Sequence, residues 1–312
     1  MDMAETLEKT YPKVVEGQIQ GHDYVTLKIY ANCSRIHREL PIYKHLGKIQ
    51  SNHSGPQCLR MLLDSFEVTG PHGQHICLVH QPLGMSLYEL KIRARGKVFS
   101  KDVLRPAVRQ LLAAICNRIT FSWELVISPC SLSMKRMNLP RKVVADRTIY
   151  LSRPLPFTFG PPVLCDLGEA RLGYEEYQDD IMPDVYRAPE VILGMKWGYK
   201  VDIWNVAMVG EYDNAYHLAQ MVAVLGPPPL DFLKHSTNSL KYWDENGTWR
   251  GLAPIPDISL EKLEQRLTGD DKERFLHFVR QMLCWVPEER PTAGEAIFDP
   301  WLMEGLFDSN DG

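Results

Sequence analysis

The chain lacks several features that would place it in a specialised class of protein. No window of the sequence approaches the roughly 18 consecutive apolar residues that a membrane-spanning helix needs. The N-terminus, MDMAETLEKTYPK, lacks the apolar core of a signal peptide. Internal repeats and low-complexity tracts are also missing. These absences predict a protein without a membrane segment.

Paired cysteines and excess charge are missing as well. The seven cysteines are scattered, odd in number and without a Cys-x-x-Cys pair. This argues against a disulfide scaffold or a structural zinc site and favours reduced thiols. The formal net charge of −4 gives no electrostatic reason to expect direct nucleic-acid binding. We therefore expect an intracellular protein, in the cytoplasm or the nucleus or both, and we expect it to be a monomer.

The patterns that are present predict strands first and helices afterwards. Residues 24–30 alternate and are β-branched, which is typical of a strand. Residues 59–80 read as strand, tight turn and strand. Apolar residues recur at helical spacing over 36–46, where Pro41 fits only near the helix start, and over 101–115. The sequence thus predicts an α+β protein.

The second half of the chain predicts mostly helices. An apolar helix begins at residue 201 and is interrupted at Gly210 after roughly two turns. The further predicted helices span residues 213–225, 260–267, 271–285 and 293–298.

The stretch from residue 164 to residue 204 carries the strongest functional signal. A short apolar strand ends in Asp166-Leu167-Gly168, an acidic segment follows, and a rigid turn occupies residues 188–190. A carboxylate at a strand end offers a hard oxygen ligand for Mg²⁺, although Asp-x-Gly turns are often only structural. This order of parts is the one that a protein kinase uses to hold magnesium and to shape a peptide-binding loop.

Taken together, the motifs resemble a eukaryotic protein kinase of the SR-protein-kinase type, in the group that also holds cyclin-dependent and MAP kinases. The resemblance covers about residues 22 to 303. Its segments are VTLKIY, RELPIYKHL, HICLVHQPLGMSLYEL, CDLGEARLG, VYRAPEVILG, KVDIW, LGPPPLDFLKHS, KYWDENGTWRG and PEERPTAGEAI. It implies a bilobal fold, with a small lobe over residues 1–80 and a large helical lobe over residues 81–312.

The resemblance also implies a nucleotide site for ATP and Mg²⁺. Lys28 on a strand and Glu39 on the following helix would grip the phosphates, and Asp166 would hold the metal. His80 would occupy the gatekeeper position. Backbone groups of the hinge, from Gln81 to Leu83, would bind adenine.

Further positions are implied for the substrate side of the site. Tyr186 and Arg187 would shape the acceptor pocket, Glu190 would pair with Arg290, and Asp202 would cap the catalytic loop. The loop also carries five acidic residues, Glu175, Glu176, Asp179, Asp180 and Asp184. These residues either form a solvated acidic loop or attract an Arg/Ser-rich protein partner.

Two departures from the family pattern affect the chemistry. The segment before Lys28 has no GxGxxG to close over phosphates. In the catalytic loop, Val126 stands where the base Asp is expected and Ser131 stands where a magnesium-binding Asn is expected. Asp146 offers a second register for the base, but it lacks the accompanying His and Asn.

Two functional classes remain open from the sequence. The chain is either a serine/threonine protein kinase with impaired catalysis, or a non-catalytic pseudokinase that binds Arg/Ser-rich or kinase partners. The departures are equally compatible with a decayed paralogue and with a mis-spliced gene model.

Overall fold

The structure is a computed structural model of the 312-residue chain. It describes residues 25–30, 38–48, 55–70, 73–81, 83–116, 119–120, 124–127, 141–143, 148–150, 161–172, 175–207, 210 and 212–306. For the four short pieces between residues 119 and 150, only the backbone is described.

The described strands lie in the first 172 residues. They are β1 (Thr26–Ile29), β2 (Leu62–Gly70), β3 (Gly73–His80), β4 (Ile119–Thr120), β5 (Glu124–Ile127), β6 (Arg141–Val143), β7 (Thr148–Tyr150), β8 (Pro162–Cys165) and β9 (Arg171–Leu172).

The described α-helices dominate the second half. They are α1 (Glu39–Leu46), α2 (Leu87–Arg93), α3 (Lys101–Ile115), α4 (Pro189–Ile192), α5 (Lys200–Asn205), α6 (Asn214–Leu225), α7 (Leu230–Leu233), α8 (Leu260–Leu263), α9 (Gly269–Met282), α10 (Ala293–Ala296) and α11 (Pro300–Met303). Among the described residues, no helix is both long and apolar enough to cross a membrane.

The chain divides into two compact units. The first comprises residues 1–36, 59–103 and 124–165, and the second comprises residues 37–58, 104–123 and 166–312. The predicted lobe boundary after residue 80 stays a prediction.

The first unit is built on an antiparallel sheet in the order β1-β3-β2. The predicted hairpin is confirmed, since Gly70 of β2 pairs with Gly73 of β3 across a two-residue link. Strand β3 supplies the core through Cys77, Leu78 and Val79, which are all buried. A second antiparallel pair, β5 with β8, belongs to the same unit.

The second unit packs helices around buried tryptophans. Trp204, Trp243 and Trp301 are each at most 1% exposed, and burial of such large apolar rings is a major stabilising contribution. The helix predicted at 101–115 is confirmed as α3. Pro41 lies in the first turn of α1, where its missing N–H would have no helical partner.

Several predicted helix and turn boundaries need correction. Helix α8 ends at Leu263 rather than at 267, because the Glu264 carboxylate accepts the backbone N–H groups of Arg266 and Leu267 at 2.6 and 2.9 Å and so competes with further helix formation. Helix α9 begins two residues earlier than predicted, at Gly269, and ends three residues earlier, at Met282. The turn at 188–190 continues as the one-turn helix α4, with Pro189 as its first residue.

Candidate functional site

Asp166 sits directly after β8, between two buried apolar neighbours. Cys165 and Leu167 are 5% and 1% exposed, which anchors the backbone on both sides, while the Asp166 side chain is exposed. Asp166 has φ = +62°, a left-handed conformation that Asp tolerates better than most residues. The backbone N–H of Gly168 points to its Oδ1 at 3.4 Å. The arrangement fits an oxygen ligand for a hard cation.

Glu39 begins helix α1 and is only 2% exposed. The residue before it, Arg38, donates through Nη1 to the carboxylate of Glu169 at 2.9 Å. Glu169 lies three residues after Asp166, so this ion pair ties the start of α1 to the turn that carries Asp166. No sequence pattern indicates the Arg38–Glu169 contact, because the two residues lie 131 positions apart.

Lys28 lies in the middle of β1, opposite Leu78 of β3. Its side chain is half-buried, and its Nζ lies 5.5 Å from the centroid of the Tyr30 ring. This distance allows a cation–π attraction. Lys28 belongs to the first compact unit and Glu39 to the second, so the predicted pairing of these two side chains stays a prediction.

The predicted hinge follows β3 and precedes α2. His80 is buried at 1% exposure, and its Nδ1 lies 3.1 Å from the Met61 carbonyl oxygen. The Gln81 carbonyl accepts a hydrogen bond from Arg60 Nη2 at 2.9 Å. Since a carbonyl oxygen has two lone pairs, Gln81 can still accept from a second donor such as an adenine amine. Leu83 is half-buried.

The two degenerate elements are only partly described. Val126 lies within β5, where its backbone pairs with Val163 of β8. Ser131, Asp146 and residues 1–24, which precede the strand of Lys28, lie outside the described residues.

Ion pairs with nearby basic side chains occupy most of the acidic loop. Asp179 pairs with Arg171 at 2.9 Å, and Glu176 pairs with Lys196 at 3.2 Å. Arg187 lies 2.9 Å from Asp184 and 3.5 Å from Asp180. The loop is therefore less negative than its sequence suggests. The ordering of these carboxylates is a structural role that sequence reasoning missed.

An aromatic pair holds the same loop. Tyr177 and Trp197 exchange two backbone hydrogen bonds of 2.9 and 2.8 Å, and their ring centroids lie 5.1 Å apart. The Trp197 indole donates to the Asp179 carbonyl at 2.7 Å, and the Tyr177 hydroxyl donates to the Leu172 carbonyl at 3.0 Å. Burial raises the pKa of Tyr177, so this hydroxyl remains a donor at neutral pH.

Tyr186 and Arg187 follow at the end of the loop. Tyr186 is 39% exposed, so its ring is available to a partner. The Arg187 side chain is largely covered, and its Nε donates to the Met182 carbonyl at 3.3 Å. Met182 has φ = +71°, which is uncommon for a residue with a side chain.

Glu190 and Arg290 are brought together as predicted partners. Both nitrogens of the Arg290 fork donate to Glu190, each at 2.7 Å, and the two side chains are at most 1% exposed. Arg290 also donates to the carbonyls of Cys284 and Lys200 at 3.0 and 3.1 Å and lies over the Trp204 ring. This bidentate pair anchors helix α4, and with it the end of the loop that carries Tyr186 and Arg187.

Asp202 lies in the first turn of α5 and is fully buried. Its predicted role as a cap of the catalytic loop stays a prediction. In the part of the chain that the structure describes, no group of three or more His, Cys, Asp or Glu side chains could hold a metal ion. A cation at Asp166 would therefore need phosphate and water oxygens as further ligands, which is the usual habit of Mg²⁺.

The known proteins that are similar in sequence to this chain are protein kinases. No protein-family model matches the chain. The chain is 41% identical to a serine/threonine protein kinase of Aspergillus fumigatus, with 91% of this chain and 79% of the relative covered. It is 28% identical to the serine/threonine-protein kinase SRPK of Physarum polycephalum, with 91% and 80% covered. It is 27% identical to the human dual specificity protein kinase CLK4, with 96% and 66% covered.

A solved structure confirms the predicted α+β kinase fold. The crystal structure of a kinase domain matches with a TM-score of 0.69 at 22% identity, covering 91% of this chain and 89% of that one. The alignments with the Physarum and human relatives run over 350 and 341 positions, whereas the chain has 312 residues. Those relatives therefore contain segments that have no counterpart here.

Proposed function

Because the chain belongs to the serine/threonine protein kinase family, we propose that it binds ATP with Mg²⁺ and a protein substrate, and that it transfers phosphate to serine or threonine slowly. The observation that carries this proposal is the exposed Asp166 carboxylate at the end of the buried strand β8. In this family an Asp in such a position holds the magnesium that neutralises the phosphates.

The nucleotide site that we propose uses the residues that the kinase resemblance implies. Asp166 would bind Mg²⁺, and the bound cation would supply charge neutralisation for the transferred phosphoryl group. Lys28 and Glu39 would hold the phosphates. The hinge with His80, Gln81 and Leu83 would bind adenine, and the second lone pair of the Gln81 carbonyl is compatible with this role. We retain the lobe boundary after residue 80 as part of this proposal.

Slow transfer follows from the composition of the catalytic-loop region. Between residues 116 and 165 the sequence has no His and only two acidic residues, Glu124 and Asp146. Neither has an Asn five residues later, so the pattern of a kinase base and its partner Asn is missing. Loss of a general base alone costs about 10²- to 10⁴-fold in rate. The segments that only the relatives possess support this reading.

The substrate that we propose is an Arg/Ser-rich protein. Glu176 is 70% exposed although it pairs with Lys196, so it can exchange this partner for an arginine of a peptide at little cost. Tyr186 offers an exposed ring for a guanidinium group. We also propose an intracellular location, in the cytoplasm or nucleus, because the seven cysteines are scattered, odd in number and without a Cys-x-x-Cys pair, which favours reduced thiols. The proposed state is a monomer.

A second function, a non-catalytic pseudokinase module, is favoured by one observation. We call residues 175–190 the acceptor loop. This loop is ordered by the ion pairs of Arg171 and Arg187 and by the buried Glu190–Arg290 pair, none of which includes a residue of the catalytic-loop region. A module of this kind would bind an Arg/Ser-rich or kinase partner without transferring phosphate.

The test measures phosphate incorporation from radiolabelled ATP into an Arg-Ser peptide. Asp166→Asn is the sharper variant, because Asn tolerates the left-handed backbone at this position while removing the carboxylate. Asp166→Ala serves as the second variant, and Glu273→Gln on α9 is the control for loss of an exposed acid. Incorporation that both Asp166 variants abolish supports the kinase. A complete lack of incorporation in the unaltered chain, together with retained peptide binding, supports the module.

A further inference from the structure

His217 on helix α6 is a buried side chain to which the proposed function assigns no role. Its ring is 0% exposed, and its Nδ1 lies 3.2 Å from the backbone carbonyl oxygen of Asp184. Burial lowers the pKa of His217 to about 4, so the imidazole is neutral at physiological pH. Because a carbonyl can only accept, the Nδ1 nitrogen must carry the proton of this neutral ring.

The carbonyl that His217 contacts belongs to the short turn that contains Tyr186 and leads to Arg187. This turn is a 3₁₀ helix, Asp184–Tyr186, and Arg187 follows it directly. The same Asp184 carbonyl also receives the backbone N–H of Arg187 at a long 3.4 Å. His217 is thus the nearer of its two donors, and it comes from an element that follows 33 residues later in the chain.

Gly210 supports the same turn from beside the histidine ring. Its backbone N–H donates to the carbonyl of Val185 at 2.7 Å. A Cβ on Gly210 would lie 2.1 Å from Cδ2 of His217, closer than two carbon atoms can approach. Only glycine lets this stretch of backbone lie so near the ring. Two consecutive carbonyls of the turn, those of Asp184 and Val185, are therefore held from outside the loop.

We propose that His217 is a positioning residue for the acceptor loop, holding the turn that presents Tyr186 and Arg187 and thereby setting the affinity for an acceptor peptide. This inference rests on the proposed function, in which Tyr186 and Arg187 shape the acceptor pocket. The side chain acts through the backbone of residue 184 and does not touch the substrate itself.

The test compares two substitutions that differ in one donor. His217→Leu removes the hydrogen bond to the Asp184 carbonyl. His217→Asn is similar in shape to Leu but places an amide N–H near the position of Nδ1. His277→Leu is the matched control, since His277 is an exposed histidine on α9. For each variant the dissociation constants of an Arg-Ser peptide and of ATP with Mg²⁺ are measured separately.

We expect His217→Leu to weaken peptide binding by about fivefold to tenfold, the worth of one net hydrogen bond, with the ATP constant unchanged. His217→Asn and His277→Leu should bind the peptide as the unaltered chain does. If His217→Leu does not fold, His217→Gln replaces it, because Gln places its amide one bond too far out. Equal peptide affinity in the unaltered chain and the donor-lacking variant overturns the inference and leaves the proposed function standing.

A chain that binds no peptide at all would instead count against the proposed function. Amide hydrogen exchange at Tyr186 and Arg187 then decides the positioning role independently. Faster exchange in His217→Leu, with exchange in His217→Asn unchanged, supports the role. Identical exchange rates in all the variants overturn it.

Discussion

The buried pair between Glu190 and Arg290 makes the sharpest stability prediction. Replacing Glu190 by Gln removes the negative charge and one of two acceptor oxygens, each now receiving a hydrogen bond of 2.7 Å. The Arg290 guanidinium, with an exposure of 0%, would be left as a buried charge without a counter-charge. Breaking such a pair costs about 3–5 kcal/mol.

The assay is equilibrium unfolding in denaturant, supported by thermal unfolding. Each kcal/mol of lost stability lowers the thermal unfolding midpoint of a domain of 150–250 residues by about 2–4 °C, so the thermal midpoint of Glu190→Gln should fall by roughly 6–20 °C. Arg290→Lys should also be strongly destabilising, because an ammonium group cannot serve both carboxylate oxygens and the Cys284 and Lys200 carbonyls at once. The matched control is Glu176→Gln, which breaks a pair whose side chains are 70% and 71% exposed.

The control should change the free energy of unfolding by less than about 1 kcal/mol. The reasoning is refuted if Glu190→Gln behaves like this control. Such a result would mean that water or another group already compensates Arg290, and that the anchor of helix α4 is weaker than its geometry indicates.

Three further predictions follow from other contacts. Burial lowers the pKa of His217 from 6.5 to about 4 in the folded chain, so the unfolded chain binds a proton at a higher pH than the folded chain does. About 3 kcal/mol of stability should therefore be lost as the pH drops from 6.5 through 4. His217→Asn should remove this part of the pH dependence, and an unchanged plot of stability against pH would contradict the prediction. Gly210→Ala should lower the free energy of unfolding by about 1–3 kcal/mol, because the added methyl group overpacks against the His217 ring. A free energy of unfolding in denaturant equal to that of the unaltered chain would show that the ring moves aside without cost. The affinity for an Arg-Ser peptide should fall as the salt concentration rises. Charge reversal at Glu175 and Glu176 should abolish this salt dependence in a titration series. An unchanged salt dependence after charge reversal would show that these acids take no part in peptide recognition.

Much of the fold was readable from local patterns. The hairpin of β2 and β3 follows from alternating residues around a glycine-containing turn, and helix α3 follows from apolar spacing over residues 101–115. These elements are dictated by period and turn chemistry, which are properties of neighbouring residues. Helix ends were less accurate, because a single side chain such as Glu264 can capture the next backbone N–H groups.

The sequence predicts the site residues that belong to a recognisable motif. It does not predict the contacts that arise only from packing. Asp166, Glu190 and Arg290 lie in recognisable segments. The contacts of Arg38 with Glu169, and of His217 with the Asp184 carbonyl, join distant parts of the chain. No periodicity or spacing encodes such contacts, because they depend on how the elements pack after they have formed.

The acidic loop shows the same limit in its electrostatics. A sequence shows five carboxylates within ten residues, but not the arginines and lysine that fold back onto them. Arg171 and Arg187 pair with three of these acids, so the charge available to a partner is smaller than the composition suggests. Charge counted along a sequence therefore overstates the local potential.

The most direct test of the account is the effect of Mg²⁺ on ATP affinity, measured by calorimetry for the unaltered chain and for Asp166→Asn. The account predicts that Mg²⁺ tightens ATP binding in the unaltered chain and that this gain disappears in Asp166→Asn. An equal gain in both proteins, or no ATP binding by the unaltered chain, would contradict the assignment of Asp166 as the ligand of the nucleotide-bound cation.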